Sequence, residues 1–167
     1  MELYYRVGTV EDIHQLQNLG LASYGPFKEV LTPDNWAKMY SFLAAEGSYT
    51  ELLSKSTCFV CEHDHEIIGM AFLVPRGNPT EIFETDWSYI RMVGVSPHFR
   101  GNNIGRKLTQ HCLDHAERTN ETVVALHTSE FMGPARRMYE DLGFQEVREL
   151  DPRFGKRYWL YHFHTSN

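Results

Sequence analysis

One stretch constrains this chain more than any other: V-G-V-S-P-H-F-R-G-N-N-I-G-R-K-L, residues 93–108. It starts as an apolar strand, passes a proline, tightens through a Gly/Asn turn and opens into an amphipathic helix. Such a connection aims several backbone N–H groups in one direction, with the positive end of a helix dipole behind them. That arrangement suits a phosphate or pyrophosphate. An ordinary strand-to-helix connection, with Gly present for steric reasons, is the plainer reading of the turn taken alone. Two nucleotide motifs are excluded by spacing. Gly101 and Gly105 are too close together for G-x-x-x-x-G-K-S/T, no hydroxyl residue follows Lys107, and no G-x-G-x-x-G is present.

The rest of the chain arranges itself around this stretch. Residues 3–7 read as a strand, and Thr9 with Asp12 as a weak capping box before a helix striped by Ile13, Leu16 and Leu19. Thr32 and Pro33 open a second helix that Gly47 stops, and residues 48–54 allow a further short one. From Thr57 the period changes to that of strands: residues 57–63 and 67–75 form a hairpin, with Gly69 a bulge or a close backbone approach. Residues 77–86 are the longest loop, and 87–95 are the strand entering the turn. A helix over 104–118 follows, then a short strand over 122–126, nearly all apolar and so buried on both faces. A helix over 132–142 is stopped by Gly143, and two last strands, 144–149 and 157–164, complete the order. The expected fold is one α/β domain over residues 1–167, with a mixed, mostly antiparallel sheet flanked by helices.

At 167 residues the chain can bury a sizeable core, and its charged fraction of 23% is ordinary. No run of 18 apolar residues suggests a membrane span, and the N-terminus lacks a secretory h-region. Three cysteines argue against a disulfide framework and for a reducing compartment, most simply the cytoplasm. A net charge of −6 without a basic stripe makes nucleic acid an unfavourable partner, and leaves a cationic or amine-bearing substrate electrostatically comfortable. Cys58 and Cys61 face opposite sides of one strand, so neither they nor His63 and His65 read as a metal site.

The central motif resembles the signature of the GNAT superfamily of acetyl-CoA-dependent N-acetyltransferases, Q/R-x-x-G-x-G/A after a V-x-P strand end. Arg100, Asn103 and Gly105 stand at its Q/R, first-Gly and Gly/Ala positions, Asn103 being a departure from the usual glycine. A-R-R-M-Y-E-D-L-G-F, residues 135–144, is similar to the A-x-x-x-Y-x-x-x-G-F stretch of that family. The order of elements agrees over nearly the whole chain.

The resemblance implies acetyl-CoA as co-substrate and transfer of its acetyl group to a primary amine of a small molecule or peptide, by direct attack in a ternary complex. The N–H groups of Arg100, Gly101, Asn102, Asn103, Ile104 and Gly105 would hold the pyrophosphate, with Arg106 and Lys107 adding charge. Met92, Val93, Gly94 and Val95 would pair with the pantetheine arm like an added strand, and an N–H near Val95 would polarise the acetyl carbonyl. Tyr139 lies in the apolar stripe of its helix. It reads either as a core tyrosine or as the acid that protonates the departing thiolate. Three residues remain open as the general base: Glu84 and Asp86 in the loop before the central strand, and His127 after the short buried one. A non-catalytic acyl-CoA-binding module of the same fold is the alternative, and a homodimer through the terminal strands is compatible with the chain. Trp36, Phe83 and Trp87 are the aromatics that would line an acceptor pocket.

Overall fold

A seven-stranded sheet in the order β1-β2-β3-β4-β5-β7-β6 divides the molecule into two layers. The computed structural model describes residues 1–167. The strands are β1 (Tyr4–Val7), β2 (Thr57–His63), β3 (Glu66–Val74), β4 (Ser88–Val95), β5 (Val123–Ser129), β6 (Gln145–Arg153) and β7 (Lys156–His164). The helices are α1 (Ile13–Tyr24), α2 (Pro33–Ala44), α3 (Glu46–Lys55), α4 (Ile104–Arg118) and α5 (Gly133–Leu142). Every pairing is antiparallel except β4 with β5. No helix is long and apolar enough to cross a membrane.

The local signals act as sequence chemistry requires. Thr32 accepts from the Asn35 N–H at 3.2 Å with Pro33 behind it, starting α2. Gly143 takes φ +109° and ends α5. The Thr9–Asp12 box forms, on a short 3-10 turn that leads into α1. Arg6 grips Asp12 with both terminal nitrogens, at 2.9 and 2.8 Å, and reaches Glu62 at 3.0 Å, fastening β1, β2 and this turn together. Hydrogen bonding to Arg6 holds the Asp12 carboxyl below its ordinary range. Gly69 combines both expected roles. A register shift lies beside it, and a Cβ there would stand 2.6 Å from Ile104 Cγ2 and 2.9 Å from Leu108 Cδ1, because α4 presses directly on β3.

Alternation along the strands supplies a core on each side of the sheet. One face, with Cys58, Met70, Phe72, Tyr89, Met92, Ala125, Tyr158 and Leu160, is covered by α1, α2 and α3 through Leu16, Leu43, Tyr49 and Leu52. The other, with Cys61, Ile68, Ile90, Val124, Leu126 and Tyr161, is covered by Ile104, Leu108 and Cys112 of α4 and Tyr139 of α5. Some bounds differ from sequence expectation. β5 runs three residues further, through His127, Thr128 and Ser129, because the backbone there still pairs with β7 whatever the polarity of the side chains. β6 is longer than its apolar content suggests, and as an outer strand it exposes most of its residues.

Candidate active site

The parallel neighbours β4 and β5 pair at only two positions, Ser88 with Val124 and Tyr89 with Ala125. Beyond them β4 continues to Val95 and β5 to Ser129 without a shared ladder, so the sheet opens as a wedge. Within β4 the register against β3 slips: Phe72 faces Arg91 while Met70 faces Gly94, leaving an extra residue on β4. Met92 sits in this bulge at φ +55°, a value rare for a side-chain-bearing residue. The bulge also turns Arg91 and Met92 toward the α1–α2 side while Val93 and Val95 pack on the α4–α5 side.

At the far end of β4 lies the Gly/Asn turn. Gly101 takes φ +85°, and Asn103 occupies left-handed space at φ +60°, ψ +21°, as the N-cap of α4. The Asn103 side chain caps nothing. The carbonyl of Asn103 accepts the Lys107 N–H at 3.0 Å, while the backbone N–H groups from Gly101 to Arg106 donate to no protein acceptor. Four or more free donors on a helix N-terminus make an anion cradle. Beside it runs a groove of about 600 Å³ lined by Tyr5, Asn102, Asn103, Arg106, Lys107 and Gln110. Lys107 Nζ stands 5.2 Å above the Tyr5 ring, so its charge is tethered at the rim. The Arg100 side chain is turned away and donates to the Ser23 carbonyl of α1 at 2.8 Å. From Arg100, only the backbone is left to face the cradle.

The α4 N-terminus, β4 and α5 converge closely. A Cβ on Gly105 would meet Val95 Cγ2 at 3.6 Å, Met138 Cε at 3.8 Å and Val93 Cγ1 at 3.9 Å, so Gly105 keeps this corner of the wedge narrow. Tyr139, next to Met138, is 7% exposed, stacks edge-on with Phe144 at 5.7 Å, and makes no side-chain hydrogen bond within the protein. Burial, then Tyr24 and Cys112, push its phenol up, so it stays protonated well above neutral pH.

The base candidates separate. Glu84 and Asp86 are exposed, before the paired end of β4. Six residues of extended chain from Asp86 to Met92 span about 20 Å. His127, by contrast, follows the last β4–β5 pair by two residues and so lines the open wedge, on the same sheet face as Ala125. Its ring stacks on Phe83 at 6.0 Å and meets Tyr158 edge-on at 5.5 Å. Burial, then Arg153 and Arg91, pull the imidazole down to about 3, so it is neutral at pH 7. Of the expected aromatics, Phe83 is core behind His127, stacked on Tyr89 at 4.2 Å, and Trp36 and Trp87 pack at the rim of the same core. The residues that sequence reasoning missed are Arg91, Arg153, Tyr24, Ser129 and the bulge at Met92.

A helix N-terminus with free amides at the mouth of a splayed β4–β5 pair is a geometry that a phosphate-bearing ligand lying along an exposed strand would fit. The chain belongs to the Acetyltransferase (GNAT) family, whose model matches residues 15–144. It is similar to the probable N-acetyltransferase camello of Xenopus laevis, 27% identical over 137 residues, which are 81% of this chain and 59% of that protein. It is also similar to the mycothiol acetyltransferase of Thermomonospora curvata, 36% identical over 86 residues, 52% of this chain and 27% of that one. The chain thus spans about half or less of the length of most of the curated relatives it matches. Its fold is that of the PaiA N-acetyltransferase from Thermoplasma acidophilum, solved with coenzyme A (TM-score 0.78, 13% identity, covering 98% of this chain and 99% of that one). It is also that of the ribosomal-protein-S18-alanine N-acetyltransferase of Escherichia coli (TM-score 0.75, 14% identity, covering 99% and 96%).

Proposed function

We propose that the chain transfers the acetyl group of acetyl-CoA to a primary amine by direct attack within a ternary complex. The observation that carries this reading is the turn at Gly101–Arg106: its unpartnered N–H groups stand beside the one place where the sheet opens. Acetyl-CoA, when bound, supplies an activated acetyl group as its thioester. The backbone amides of residues 100–105 and the dipole of α4 would bind the pyrophosphate, with Arg106 and Lys107 at the rim. The strand edge at Met92–Val95, released from β5, would bind the pantetheine arm through main-chain hydrogen bonds. The bulge at Met92 removes one residue from the β3 ladder, and an N–H freed there would meet the charge that gathers on the acetyl oxygen.

Tyr139 would hold its proton beside the sulfur and release it to the departing thiolate, a role its protonated phenol and lack of a protein partner support. Among the three base candidates, His127 is the one placed at the open wedge, so it would take the amine proton directly or through water. On this reading Glu84 and Asp86 would be solvated loop carboxylates. The three cysteines are free and buried, which suits a reducing compartment, and we assign the chain to the cytoplasm. The test is release of free thiol from acetyl-CoA across a panel of primary amines. Acetyl-CoA binding with no thiol release for any amine would identify a non-catalytic acyl-CoA-binding module instead.

A further inference from the structure

The α1–α2 side of the wedge holds a second set of side chains that acetyl-CoA binding does not use. Arg91 and His127 each follow the last β4–β5 pair by two residues, so they flank the opening on the same face. Ser129 and Tyr158 are cross-strand partners on that face. Arg153, at the end of β6, lies with its guanidinium 5.9 Å from the centre of the Tyr158 ring. The turn after it crosses to α2, where a Cβ on Gly155 would meet Asn35 Nδ2 at 2.9 Å. Arg91 reaches toward α2 and stands 5.8 Å from the Phe42 ring. Tyr24 and Phe27 at the end of α1, with Phe131, add aromatic walls: Phe27 meets Phe131 at 4.7 Å and Phe131 meets Tyr158 at 6.2 Å.

Two observations make this more than an aromatic niche. First, neither Arg91 nor Arg153 forms an ion pair or donates a side-chain hydrogen bond anywhere in the protein. Half-buried guanidinium groups without a carboxylate are unfavourable unless something else satisfies them. Second, four sealed side-chain polar atoms in the whole chain lack a hydrogen-bond partner, and three of them are here: Arg153 Nε, His127 Nδ1 and Ser129 Oγ. Buried polar groups are nearly always partnered, so such a gathering points to a ligand.

Two cationic forks beside orphaned donors fit an anion, and a planar carboxylate matches the guanidinium fork. A ligand that is only cationic, such as a polyamine, would be repelled. We propose that this pocket receives an acceptor carrying a carboxylate close to its amine, a free amino acid or a comparable small amino carboxylate, and that Arg91 and Arg153 bind the carboxylate. Arg91 directly precedes the bulge residue Met92, so a carboxylate held there leaves the neighbouring amine close to the strand edge that would align the thioester. The inference rests on the acetyl-transfer reading above and names its acceptor class.

The test uses the twenty free L-amino acids, each paired with its L-amino acid carboxamide, which keeps the amine and the shape but removes the charge. Binding to the protein in the presence of coenzyme A is measured by calorimetry and thermal shift, and turnover by thiol release from acetyl-CoA. The expected result is at least a tenfold preference for one or more acids over their carboxamides. Arg153→Gln and Arg91→Gln should abolish that preference while leaving acetyl-CoA affinity within about twofold, and Arg153→Lys should keep part of it. Preferential binding of acids without thiol release would support the carboxylate site and overturn acetyl transfer. Parity between acids and carboxamides in the wild type, whether both act or neither does, overturns the inference irrespective of how the variants fold. Turnover of carboxamides or peptide amines at equal rates would leave acetyl transfer standing alone.

Discussion

Replacing Asn103 with valine places a β-branched side chain at φ +60°, ψ +21°. For an ordinary L-residue the left-handed conformation costs about 1–2 kcal/mol, and Asn is among the few that adopt it with less strain. Where that strain falls can be worked out from the turn. Residues 101–103 are exposed, the Asn103 side chain caps nothing, and the amides around it have no protein partner. Apart from Asn102 Nδ2, which donates to the Phe99 carbonyl at 2.9 Å, no side chain of residues 101–103 holds the free turn in shape, so a valine variant can relax into another conformation at little loss of stability. The cradle must then be re-formed on binding. A strain of about 1–2 kcal/mol weakens acetyl-CoA about 5- to 30-fold, since 1.4 kcal/mol is tenfold. Asn103→Gly, free of the penalty, should bind within about threefold of wild type. Calorimetric titration with acetyl-CoA gives the affinity and a thermal melt gives the stability. Were the same strain borne by the folded state instead, the melting temperature would fall by about 2–8 °C in a chain of this size. A valine variant that melts lower but binds normally would refute the reasoning, because the turn would then be held by the fold and not by its own backbone.

Tyr139→Phe should lower kcat by about a hundredfold with acetyl-CoA affinity unchanged, measured by steady-state thiol release and calorimetry; an unchanged kcat would relegate Tyr139 to packing. His127 is held down to about 3, so between that value and its ordinary 6.5 the unfolded chain binds a proton that the folded one does not. Its contribution to stability is complete above pH 6.5 and lost as pH falls toward 3. Between pH 7 and 5 the wild type should lose about 2 kcal/mol more than His127→Gln, read from paired denaturant melts at the two pH values. Gly69→Ala drives a methyl against Ile104 and Leu108, which should destabilise by about 1–3 kcal/mol, with part recovered in the Gly69→Ala, Ile104→Ala double variant on thermal melting.

What was legible in the sequence was what depends on neighbours along the chain. The left-handed Asn103, the Thr32 cap, the Gly143 stop and the opposed faces of Cys58 and Cys61 all follow from local sterics and strand alternation. The close approach at Gly69 was foreshadowed, though not the helix that makes it. The bulge at Met92 was hidden, because a methionine at positive φ carries no sequence mark. β5 seemed to end at Leu126 because H-T-S breaks the apolar run, yet its backbone stays paired with β7 through Ser129. Arg91 had a signal that passed unused: a lone charge within the apolar strand S-Y-I-R-M-V-G-V. Arg153 had none, since only the β6–β7 hairpin folding back over the sheet brings it to Tyr158.

Bulk charge misleads about a site. The chain carries −6 overall, which favours a cationic acceptor, but screening confines each charge to roughly 8–10 Å at ordinary ionic strength. Around His127 the charges that act, after burial itself, are the two guanidinium groups of Arg153 and Arg91, and both lower its imidazole further. A carboxylate bound between them would cancel that influence and raise the basicity of His127 as the acceptor arrives. An ammonium alone would do the reverse, being repelled and leaving His127 too weak a base to take its proton. On the proposed reading the pocket would couple recognition to proton transfer: the anionic end of an amino carboxylate would switch on the base that its amine needs. A measurable consequence is that the apparent pKa governing kcat, which reports the substrate-bound enzyme, should lie closer to the ordinary imidazole value with amino acids than with their carboxamides.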